Sequence, residues 1–117
     1  MAISNWPIGN TNGGTMKIIK EICKDIECAL DKAEHYAKQA IILKPDYPSL
    51  AQRYLADSST MMDIMSGLHS EVVTIINDYR KTNGEPPAPM MAIYDYMHER
   101  FIEKAAAIKN LQDLFKQ

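Results

Sequence analysis

Met61-Met62-Asp63-Ile64-Met65-Ser66-Gly67-Leu68-His69 is the stretch whose periodicity decides the fold. Met61, Met62, Met65, Leu68 and His69 recur at the spacing of one face of a 3.6-residue helix, while Asp63 falls on the other side. The pattern extends both ways at seven-residue intervals. Tyr54, Met61, Leu68 and Ile75 form one column; Ala51, Ser58, Met65, Val72 and Tyr79 a second; Leu55, Met62, His69 and Ile76 a third. Arg53, Thr60, Gly67, Thr74 and Lys81 lie opposite and are expected to face water. This predicts a helix over about 48–82, ~50 Å long at 1.5 Å per residue. A bundle holding a metal in its core would carry inward ligands along the middle of such a helix. This one carries methionines.

Toward the C-terminus, Asn83-Gly84 supplies a left-handed stop and Glu85-Pro86-Pro87-Ala88-Pro89 a stiff corner. A third helix is predicted over about 89–116, with Tyr94, Phe101, Ile108 and Phe115 as its central column. Met90, Met97 and Leu111 flank that column on one side and Met91, His98 and Ala105 on the other. Toward the N-terminus, Pro45 cannot continue a helix, Asp46 is placed to cap the next one, and Pro48 falls in its first turn. A first helix is predicted over about 16–44 on a stripe that includes Ile19, Ile22, Cys23, Ile26 and Leu30. Ala29, Ala33, Ala37 and Ala40 make that stripe small enough for close approach of a partner helix. Residues 1–15 lack helical periodicity and read as a tail, flexible or docking, with Trp6-Pro7-Ile8 its one sticky element. The expected fold is all-α: an antiparallel three-helix bundle joined by tight loops.

At 117 residues the chain is one domain with one hydrophobic core. A formal net charge of -2 gives no global attraction to nucleic acid or to an anionic membrane. No apolar run approaches the ~18 residues of a membrane span, and the first fifteen residues lack the features of a secretory signal. Cys23 and Cys28 are five residues apart on one helix and point to different faces, which fits a reducing cytoplasm. Gly13-Gly14 is not followed by the Lys-Ser/Thr of a phosphate loop, and no C-x-x-C is present.

A di-iron carboxylate bundle needs Glu from one helix and Glu-x-x-His from the next. Glu27 lies at the edge of the first stripe, and counting across the Pro45 turn sets Met61, Ile64 and Met65 at its height, none of them a ligand for a hard ion. His69 stands 13 residues before the end of the second helix and His98 about nine residues into the third. The two are therefore expected at similar heights, as register-fixing core residues or as a small metal or polar site. The eight methionines read as core filling or as an adaptable binding groove.

Leu68-His69-Ser70-Glu71-Val72-Val73, Asp78-Tyr79-Arg80-Lys81-Thr82-Asn83-Gly84-Glu85-Pro86-Pro87 and Met91-Ala92-Ile93-Tyr94-Asp95-Tyr96-Met97-His98-Glu99 resemble a family of small phage and prophage proteins. Lys17-Ile18-Ile19-Lys20 and Ala33-Glu34-His35-Tyr36-Ala37 extend the likeness over Met16 to Lys116. The resemblance implies a ferritin-like half-bundle with no settled function. Members often carry Glu-x-x-His before the Leu-His pair, where this chain has Met61-Met62-Asp63-Ile64.

Ile41, Ile42, Val73 and Tyr96 lie off the main stripes, which points to a second contact surface and a homo-oligomer, dimer or higher. The leading expectation is a non-enzymatic helical protein acting in the host cytoplasm through self-association and through a host or phage protein partner. No cofactor is required by it. A second expectation is a divalent-metal protein using Glu27, Glu34, His69, Asp95 and His98 in a degenerate site. A third is a phage counter-defence protein that blocks a host protein or sequesters a small molecule.

Overall fold

The computed structural model describes residues 11–117, with side chains from residue 14 onward. Among these residues there are three helices and no strand: α1 (Thr11–Leu43), α2 (Pro48–Asn83) and α3 (Ala88–Phe115). α1 begins before the expected Met16, at Thr11, so the helix takes in part of the stretch read as a tail. Met16 packs against the core and fixes that end, and each further residue adds a hydrogen bond to a helix already nucleated. Trp6-Pro7-Ile8 lies outside the described residues.

The turn between α1 and α2 holds one departure from the sequence reading. Asp46 does not cap α2; the N-cap residue is Tyr47, with no side-chain hydrogen bond. Backbone bonds carry the corner instead, Tyr47 N–H donating to Leu43 C=O at 2.8 Å and Ala51 N–H to Tyr47 C=O at 2.9 Å. Pro48 follows at a position where a missing N–H is harmless. At the other corner Gly84 adopts φ 83° and ψ -156°, a region essentially reserved for glycine, and its N–H closes on Arg80 C=O at 3.0 Å.

Packing centres on α1, although the methionine-rich α2 is the most legible helix in the sequence. α1 packs along both α2 and α3, whereas the backbones of α2 and α3 scarcely approach one another. The small residues of α1 explain this. Ala29, Ala33, Ala37 and Ala40 are all buried, and the Ser58 hydroxyl of α2 comes close enough to donate to Ala33 C=O at 2.7 Å. Ser58 is the one buried polar side chain among the described residues, and it also accepts from Gln112 Nε2 of α3 at 3.0 Å. This three-helix node sits between a main apolar cluster that includes Ile19, Ile26, Leu30, Val72, Phe101 and Ile108 and a smaller one around Ala40, Ala51 and Phe115.

α1 and α3 run parallel, with side-chain contacts at a nearly constant offset along the chain. Arg100 reaches Glu27 at 3.6 Å, Lys104 bonds Asp31 and lies 3.6 Å from Glu34, and Lys44 bonds the Phe115 carbonyl while stacking over its ring. Such exposed pairs contribute about 0–1 kcal/mol each, but together they fix register. No described helix is long and apolar enough to cross a membrane.

Candidate functional site

α2 and α3, each held by α1, leave a groove of about 260 Å³ between them. Met65, Phe101, Ile102 and Ala105 supply its apolar surface, Ser66 and Ser70 its α2 rim, and His69 and His98 its polar floor. The expectation that the two histidines share one height is met. Their rings stack with centroids 5.0 Å apart and planes 21° from parallel.

Tyr94 completes the cluster. It lies one turn before His98 on α3, so the helix brings the two rings together, at 5.3 Å and 13°. Its hydroxyl comes within 3.5 Å of His69 Nε2 and can donate when that nitrogen is unprotonated. Cys23 and Ile26 of α1, with Val72 and Met97, close the underside. Sequence reasoning identified the histidines and missed Tyr94 as their partner, although its i, i+4 spacing from His98 was visible.

The electrostatics follow from this packing. Burial pushes the His69 pKa below the ordinary imidazole value, and the positive charge available to His98 pushes it further. Burial raises the Tyr94 phenol, with smaller contributions from Asp95 and Cys23, and burial alone raises the Cys23 thiol. Both shifts favour the neutral forms, an uncharged His69 ring beside a protonated Tyr94 hydroxyl. A thiol held protonated in this way is a poor nucleophile.

The five residues expected as metal ligands occupy three places. Glu27 and Glu34 face α3 along the ion-paired seam, where Arg100 and Lys104 engage them. Glu27 therefore does not look across at Met61, Ile64 and Met65. Asp95 is exposed on α3. Only His69 and His98 come together, and their stacked rings keep the in-plane lone pairs in two nearly parallel planes. No group of three or more His, Cys, Asp or Glu among the described residues could hold a metal ion. His35 is exposed and lies against Tyr36.

Three of the four residues expected to form a second contact surface, Ile42, Val73 and Tyr96, are exposed, as are Leu50, Ile64 and Ile102. Ile41 instead packs on the small cluster near the first turn. No protein-family model, curated protein or solved structure matches the chain, so the phage ferritin-like resemblance rests on the residues quoted for it.

Proposed function

We propose that this chain is a non-enzymatic, phage-type helical protein that works by self-association and protein binding in the host cytoplasm. In this reading two or more copies complete a ferritin-like bundle. The observation that carries it is the open α2–α3 groove: the two helices converge on α1 and leave their facing sides short of contacts. A fourth helix is what such a layer lacks. The exposed apolar side chains of α2 and α3 supply further surface for the same purpose.

The divalent-metal reading rests on the His69–His98 pair alone, since the carboxylates expected beside it are elsewhere. A counter-defence role would place a host protein or a sequestered small molecule in the same groove in place of a second copy. Light scattering coupled to size exclusion tests the main reading. The expected mass at micromolar and higher concentration is a multiple of the 13.2 kDa chain. A particle that keeps the mass of one chain at every concentration would falsify self-association.

A further inference from the structure

Ile102 is distinct among the exposed apolar side chains because it also lines the α2–α3 groove. Just over half of it, 55%, is open to solvent. Seven-residue spacing places Asp95, Ile102 and Lys109 in one column of α3. Asp95 and Lys109 are both exposed, and neither forms an ion pair among the described residues. The α1-facing side of the same helix is different, because Arg100 and Lys104 each meet carboxylates there.

The column is antisymmetric in charge about Ile102, with an acid two turns before it and a base two turns after. A helix with that pattern is complementary to its own antiparallel copy. The central isoleucines meet, and each acid faces a base. Steric and solvation conditions agree. Ala105 and Ala106 beside Ile102 are small, and the α2 rim offers the hydroxyls of Ser66 and Ser70 and no charge, so a second helix can approach closely on that side. The groove's 260 Å³ falls short of the ~300–1,000 Å³ typical of pockets that enclose small ligands. It suits the side chains of a docked helix.

We propose that two copies of this chain pair through α3, antiparallel and centred on Ile102, with each Ile102 seated in the other copy's groove and each Asp95 facing the other copy's Lys109. This deepens the self-association reading and rests on it. α2 and α3 of both copies then form a four-helix layer, with each α1 on the outside. The groove floor of His69 and His98 becomes part of the buried surface.

Charge exchange tests the pairing in the full chain, because the substituted side chains are exposed and their loss leaves the core intact. Asp95→Lys and Lys109→Asp are each expected to weaken the dimer about tenfold or more, by opposing like charges twice per pair. The double variant carrying both substitutions is expected to regain wild-type affinity. An equimolar mixture of the two single variants is expected to form a heterodimer, since each carries one sign at both positions and the signs are opposite. Ile102→Glu is expected to lose the dimer while its circular dichroism spectrum stays that of the wild type. Single variants that pair as tightly as wild type, or a double variant no better than the singles, would overturn this geometry while leaving self-association standing. A wild-type chain that is monomeric at all concentrations would overturn both.

Discussion

His69 shows how one side chain can be set by three helices. α2 carries it, α3 stacks His98 and Tyr94 against it, and α1 closes the space beneath with Cys23. Its folded-state pKa lies below the ordinary imidazole value, so in the window under about pH 6.5 the unfolded chain takes up the proton first. Stability is therefore complete above that window and falls as the pH drops through it. The urea midpoint is expected to be lower at about pH 5.5 than at about pH 7.5. His69→Gln should remove most of that difference, because no proton then distinguishes the two states at this site. If the variant keeps the full wild-type pH dependence, the cause lies in another group. Ser58 makes the same point about residues and context. Its place in an apolar column is plain in the sequence, but its bonds to Ala33 and Gln112 exist only because three helices meet there.

At the scale of the elements, two glycines separate backbone demand from side-chain room. Gly84 ends α2 at φ 83°, and an added Cβ there would meet nothing within 4 Å. Gly67 sits in the exposed middle of α2 with equal room. The same substitution should have opposite effects. Gly84→Ala is expected to destabilise by about 1–3 kcal/mol, since alanine avoids that backbone region. Gly67→Ala is expected to stabilise by about 1 kcal/mol, since glycine lowers helix propensity by that amount. Thermal melts of both variants decide it. A loss at Gly67 would show that its face is covered by something a methyl group displaces.

The three-helix body is long and thin, 58 × 30 × 17 Å, with a radius of gyration of 17.7 Å against about 13 Å for a compact domain of this size. It holds together through α1. α2 and α3 meet each other mainly through long side chains, among them the His69–Tyr94–His98 stack, the Ser58–Gln112 bond and the Arg80–Met91 contact. A fragment of residues 48–117, which lacks α1, is therefore expected to lose most of its helix signal and to melt without cooperativity. A fragment of residues 11–83, which keeps the close α1–α2 packing, should retain more structure. Far-UV circular dichroism of the two compares them directly. A well-folded 48–117 fragment would show that α2 and α3 bury enough surface against each other on their own.

Features under local chemical control are legible in the residues alone. Seven-residue columns set the three helices and their buried faces, Pro45 and Gly84 set where chain direction reverses, and counting from those turns brought His69 and His98 to one height. Met61, Met62, Met65 and Leu68 do turn inward and Asp63 outward, as their spacing requires. Tertiary structure decided the rest, because a periodic pattern gives a helix its buried arc without saying which neighbour lies along each edge of it. Glu27 sits at an edge that could face either helix, and packing turned it to Arg100 and away from the methionines. Close approach at Ala33 and Ser58 made α1 the hub in place of α2. The groove over His69 is the result, open because two helices that fit tightly to a third need not fit each other.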